Sequence, residues 1–194
     1  MKTVAVVFAD GCEEVEGLSI VDVLRRLDVQ VDMVGLASTQ ITGAHQISLT
    51  CAKIIDNSLL DYDLVALPGG KSGAENLRDS QQLRELMVKR NQTGQWVAAM
   101  CAAPIALARY GILNGADYTC YPGFERQTKK DAPSGHYREN ITVTDKVHQV
   151  ITSRGPATAW AFAYAIGDAL DLDTQDLKHV MLYDYLEDNI QDSL

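Results

Sequence analysis

The 194 residues fit a single domain, and 46% apolar with 22% charged residues can fill a sizeable core beneath a polar surface. With 17 Lys and Arg against 26 Asp and Glu, the net charge is −9, a field that repels phosphate backbones and anionic lipid. Nucleic acid and membrane surfaces are therefore not expected partners, and no apolar stretch approaches the roughly 20 residues that span a bilayer. From the N-terminus, Thr3 to Phe8 is a near-continuous apolar run, the pattern of a strand buried on both faces of a parallel sheet. After a turn at Asp10-Gly11-Cys12, residues Val15, Leu18, Val21, Val23, Leu24 and Leu27 recur at helical spacing, with Arg25 and Arg26 near the helix end. Val31 to Leu36 reads as a second strand, and Ile41 to Ile54 as a small hairpin or edge excursion.

Leu64 to Leu67 is a third buried strand, closed by Pro68-Gly69-Gly70. The spacing predicts a helix from about Ser72 to Asn91, with Leu77, Leu83, Leu86 and Met87 turned inward. Trp96 to Met100 is a fourth strand that runs directly into Cys101-Ala102-Ala103-Pro104 and a helix stopped by Gly111. Glu125 to Asn140 reads as a polar surface loop with a single helical turn. Ile141 to Val143 and Val147 to Thr152 are expected to pair as a hairpin around Asp145-Lys146. Pro156 opens an apolar helix to about Leu170, and Asp173 begins a last one to about Tyr185. This alternation predicts an α/β fold: a doubly wound, mostly parallel sheet with helices on both faces, in one domain over residues 1–194.

Cys12, Cys51, Cys101 and Cys120 show neither C-x-x-C spacing nor a companion His cluster. They are expected to be reduced thiols of a cytoplasmic protein, not a disulfide framework or a metal site. The N-terminal segment lacks a secretory pattern, because Asp10, Glu13 and Glu14 stand where small cleavage-site residues belong.

In such a sheet the loops leaving the strands' carboxyl ends converge on one crevice. Three of them carry chemistry: Gly11 to Glu16, Pro68 to Ala74, and Cys101 to Pro104. A cysteine pinched between strand and helix is pushed outward beside unpaired helix N–H groups, which favour a thiolate. Gly69 and Gly70 can present backbone N–H groups and, with Ala102, form an oxyanion hole. Glu13 and Glu14 are accounted for by complementing a helix dipole, whereas a Glu16 that reaches the crevice must share a proton with a neighbouring thiolate. No Walker or G-x-G-x-x-G pattern is present.

These loops resemble the DJ-one/ThiJ/PfpI superfamily, the class I glutamine amidotransferase-like fold. The resemblance is carried by Asp10-Gly11-Cys12-Glu13-Glu14-Val15-Glu16, Leu67-Pro68-Gly69-Gly70 with Gly73 to Leu77, Ala99 to Pro104, and Thr152 to Thr158. It implies a flavodoxin-like sandwich and a homodimer, with Cys101 as the oxidisable nucleophile, Glu16 as its protonated partner, and Gly70 and Ala102 as N–H donors. It further implies glyoxalase or deglycase chemistry on small aldehydes such as methylglyoxal or on glycated substrates, with no metal or organic cofactor. A cysteine redox sensor or chaperone is the alternative.

The sequence departs from relatives at two positions. Ala102 stands where protease-like members place His, which removes a peptidase's general base. Tyr121-Pro122 replaces a His-Pro found in DJ-one-like members, and a phenol is a poor base at neutral pH. His45 is a candidate for the position at which relatives carry an Arg contributed across the dimer interface, set against a reading as a satisfied surface histidine. Cys12 and Cys120 flank the same sheet end, and either is a candidate resolving thiol.

Overall fold

The computed structural model describes residues 1–190. β1 (Thr3–Phe8) leads to α1 (Glu14–Arg26) and β2 (Gln30–Gly35). β3 (Gln40–Thr42) and β4 (Ser48–Thr50) form an antiparallel hairpin, followed by β5 (Lys53–Ile54) and β6 (Leu64–Leu67). Next come α2 (Lys71–Asp79), α3 (Gln81–Gln92), β7 (Trp96–Met100), α4 (Pro104–Arg109), β8 (Asp117–Tyr118), α5 (Glu125–Asp131) and β9 (His136–Tyr137). β10 (Thr142–Asp145), β11 (Val150–Ser153), α6 (Ala159–Ala169), α7 (Gln175–Val180) and α8 (Tyr183–Asn189) complete the described chain.

The main sheet has the order β10-β11-β7-β6-β1-β2-β5 and is parallel except for β10, which pairs antiparallel with β11. β1 lies between β2 and β6, so the chain winds outward from it in both directions. Right-handed crossovers then put helices on opposite faces. α1 packs along α6 on one face, and α2, α4 and α5 pack together on the other. The continuous apolar runs follow from this burial: Val4 to Phe8, Leu64 to Leu67 and Val97 to Met100 have no solvent exposure. Among the described residues, no helix is long and apolar enough to cross a membrane.

Three expectations need correction. The helix foreseen over 72–91 is two helices, because Ser80 is extended (φ −74, ψ 110) and its hydroxyl caps α3 by accepting from Leu83 N–H. The last helix divides as well, at Leu182, which adopts a left-handed φ of 57. The polar stretch after Tyr121 holds two turns of α5 and the short strand β9, which pairs with β8. Val15 and Leu18 keep the expected helical spacing and face outward, at 49% and 38% exposure.

Candidate active site

The fold brings the loops after β1, β6 and β7 together at one end of the sheet and ties them through backbone. Glu13 N–H donates to Gly69 carbonyl (3.0 Å), and Gly73 N–H to Gly11 carbonyl (3.0 Å). Gly11 N–H reaches Thr42 and Ala44 N–H reaches Cys12 (both 2.8 Å), which adds the β3–β4 hairpin to the assembly.

Cys101 follows β7 directly and has φ 60, left-handed backbone that costs a non-glycine residue about 1–2 kcal/mol. Neighbouring chain holds it there. Cys101 N–H donates to Ser153 carbonyl (2.9 Å) at the end of β11, and its own carbonyl accepts from Tyr121 N–H (2.8 Å). The small Ala102 and Ala103 and the helix-opening Pro104 suit this turn. The residue is 8% exposed.

Glu16 projects from the first turn of α1 and is fully buried. Its Oε2 accepts Gly69 N–H at 2.7 Å, and the carboxyl group also interacts with the Cys101 thiol. Burial pushes the Glu16 carboxyl up to about 7, against the smaller opposing pull of these two hydrogen bonds. The thiol is driven up as well, first by burial and then by the adjacent carboxylate. Gly70 and Ala102 N–H groups point at the sulfur and pull the other way, but they do not win. Burial and the adjacent carboxyl thus act against the thiolate that the N–H groups opening α4 favour. Cys101 and Glu16 are therefore coupled: the carboxylate raises the thiol's affinity for its proton, while the thiol's hydrogen bond lowers the carboxyl's.

The glycine pair divides its work. Gly69 N–H is committed to Glu16, so it is not an oxyanion donor, contrary to the sequence expectation. A Cβ on Gly69 would lie 2.6 Å from Cys101 Cβ and 2.8 Å from Glu16 Oε2, so only glycine lets thiol and carboxyl meet. Gly70 takes φ 85 with its N–H toward the sulfur, where Ala102 N–H also points. Those two donors remain as the candidate oxyanion hole.

Tyr121 borders this turn through its N–H bond to Cys101, and its ring, 44% exposed, packs edge-on against Phe124 at 6.4 Å. His45 is not joined to the thiol. Its Nδ1 lies 2.9 Å from Glu14 Oε2 and 3.5 Å from Glu13 Oε1. Glu14, assigned from sequence to the helix dipole, is instead 3% exposed and accepts His45 N–H (2.7 Å) and Ile47 N–H (3.4 Å), clamping the hairpin turn to α1. The hydrogen bond from the His45 ring, followed by those from backbone N–H groups, holds its carboxyl below the ordinary range despite burial. No local signal announces this clamp, because its partners lie about 30 residues away. Cys12 and Cys120 are fully buried and their thiols are pushed up by burial. Cys12 interacts with Glu14 and Cys51, and Cys120 with Thr128, which gives neither the exposure of a resolving thiol.

A doubly wound sheet with a cysteine on the strand–helix turn and a buried glutamate beside it defines a class of cysteine-centred α/β proteins. The chain belongs to the DJ-1/PfpI family, whose profile matches residues 2–169. It is 36% identical over 175 residues to the Parkinson disease protein 7 homolog of Danio rerio, covering 87% of this chain and 89% of that protein. It is 30% identical over 169 residues to the glutathione-independent glyoxalase DJR-1.2 of Caenorhabditis elegans, covering 84% of each. The crystal structure of Drosophila melanogaster DJ-1beta superposes with a TM-score of 0.83 at 30% identity, covering 95% of this chain and 97% of that one.

Proposed function

We propose that this protein is a cofactor-independent enzyme that removes small reactive aldehydes such as methylglyoxal, with Cys101 as nucleophile and Glu16 as proton carrier. The observation that carries this reading is the buried contact itself, a thiol and a carboxyl side by side with two N–H groups aimed at the sulfur. A neutral thiol becomes competent as it passes its proton to Glu16, so acidity near neutrality in the carboxyl matters more than a low thiol pKa. Sulfur adds to the aldehyde carbon while Glu16 takes the thiol proton. The carbonyl electron pair moves to oxygen, where Gly70 and Ala102 N–H groups stabilise it. Glu16 returns the proton to give a hemithioacetal. Moving the C1 proton to C2 through an enediol gives a lactoyl thioester, and water then releases lactate and the free thiol. The one glyoxalase among the relatives described above supports the substrate class.

The same reading places the protein in a reducing compartment such as the cytoplasm, where its four unpaired cysteines persist. It also makes the protein a homodimer. Val15 and Leu18 lie one turn apart on α1, Ile47 sits beside that helix through its bond to Glu14, and Trp160 starts the adjoining α6. All four are exposed apolar side chains on or beside the packed α1–α6 pair. Sedimentation should show a dimer that Leu18→Glu weakens.

Purified protein should convert methylglyoxal to lactate, and Cys101→Ser should abolish the conversion. Equal rates for the two proteins would sink the enzymatic reading. No turnover together with a stable two-oxygen mass gain at Cys101 would favour the redox-sensor alternative.

A further inference from the structure

Tyr121 holds a half-exposed aromatic ring at the cysteine turn, and the thiol–carboxyl pair makes no use of it. We propose that this ring is the specificity-determining wall of the approach to Cys101, favouring α-oxoaldehydes that carry a flat aromatic group over those that carry a small alkyl group. The proposal rests on the aldehyde chemistry proposed above and names the substrate class within it.

Main chain fixes where the ring stands. Cys101 is gripped from two sides: its N–H donates to Ser153 carbonyl (2.9 Å), and its carbonyl accepts Tyr121 N–H (2.8 Å). The Tyr121 side chain then reaches across to the chain just past Ser153. A Cβ on Gly155 would lie 3.1 Å from Tyr121 Cδ2 and 3.4 Å from its Cε2. The ring thus spans the two segments that hold the cysteine. Gly155 is extended (φ 177), a backbone any residue adopts, so its lack of a side chain serves the ring's close approach and not the turn. Phe124 meets the ring edge-on, at 6.4 Å and an interplanar angle of 80°. Its N–H donates to Tyr121 carbonyl (3.1 Å), which keeps the two aromatic residues on one turn.

A ring buttressed by Gly155 and Phe124 but open elsewhere is a rigid platform. Tyrosine has only two side-chain torsions to order, and here both are constrained before a ligand arrives, so stacking on it costs little entropy. A phenyl group joined to the reacting carbonyl brings a second ring to this platform, whereas a methyl group has no π face to offer. An offset or edge-on aromatic pair is worth about two- to tenfold in binding beyond the area it buries. That gain is made while the aldehyde carbon is held for attack by sulfur, so it enters the rate for aryl substrates selectively.

The test compares phenylglyoxal with methylglyoxal as substrates, and N-phenylmaleimide with N-methylmaleimide as labels of Cys101, in full-length protein. The maleimides read the wall without turnover, since the sulfur adds to the same alkene in both. Each phenyl-to-methyl rate ratio is divided by that of a small free thiol, and peptide mass spectrometry assigns the label to Cys101. Wild type should favour the phenyl member of both pairs, and Tyr121→Ala should lower both ratios about two- to tenfold. Tyr121→Phe keeps the ring and should keep the ratios. Gly155→Ala, whose methyl group crowds the ring out of place, should lower them with the tyrosine still present. Far-UV circular dichroism verifies the fold of each variant. Ratios in Tyr121→Ala equal to wild type, or ratios in Tyr121→Phe that fall as far as those in Tyr121→Ala, would overturn the aromatic wall. If neither aldehyde is turned over, the enzymatic reading falls by itself and the maleimide ratios still decide the wall.

Discussion

Glu16→Gln tests the electrostatics of the site without touching the sulfur. In the folded protein the Glu16 carboxyl is raised from an ordinary 4.5 to about 7, chiefly by burial. The folded state therefore holds this proton more tightly than the unfolded chain does. Stability present at pH 4 is lost as pH rises through 4.5 to about 7, and the loss is complete above the folded value. At roughly 1.4 kcal/mol for each tenfold change in proton affinity, the full effect is on the order of 3 kcal/mol. Glutamine keeps an acceptor for Gly69 N–H and never ionises. Relative to wild type it should be near neutral at pH 4.5 and stabilising by up to about 3 kcal/mol at pH 8, or about 6–12 °C in Tm. Urea unfolding at pH 4.5, 6, 7 and 8 measures the difference. Repeating the pair in a Cys101→Ala background removes proton sharing with the thiol. A difference that stays flat from pH 4.5 to 8 in both backgrounds would refute the buried, proton-retaining carboxyl.

Three further outcomes are expected. In the native protein iodoacetamide should label Cys101 before the other thiols, since it is 8% exposed against 0% for Cys12, 4% for Cys51 and 0% for Cys120; peptide mass spectrometry reads the order. Gly69→Ala should cost about 1–3 kcal/mol in urea unfolding, because its Cβ would crowd Cys101 and Glu16 alike, and should also lower methylglyoxal turnover. Ser80→Ala, which removes the α3 cap far from the thiol, should cost about 1 kcal/mol with turnover unchanged.

Sequence patterns revealed those parts of the protein that depend on local chemistry. Apolar runs fixed the buried strands because a strand covered on both faces has no alternating side. Cys101-Ala102-Ala103-Pro104 marked the strand–helix turn, because small residues and a helix-opening proline follow from its geometry. The break at Ser80 was also readable, as a serine three residues before Leu83, but the apolar period running through it masked the cap. Leu182 gave no such sign, since the left-handed backbone of this exposed leucine is held by its main-chain bonds to His179 and Leu186 and not by its own preference. The clamp made by Glu14 and the commitment of the Gly69 N–H to Glu16 were missed for one reason. Their partners, the hairpin turn and the Glu16 carboxyl, come into range only when distant segments assemble. The thiol's proton affinity also belongs to the assembled site, as it depends on how much water the fold removes.

The lacing of the three loops by peptide groups has a consequence for how this scaffold can diversify. Spacing between carboxyl, sulfur and the Gly70 amide is referenced to main chain, so exchanging exposed side chains around the crevice leaves the reacting distances in place. Tyr121 borders the Cys101 turn and carries none of those ties through its side chain. Substrate preference can therefore drift at the rim while the inner geometry stays fixed, so the scaffold can acquire new ligands without rebuilding its centre.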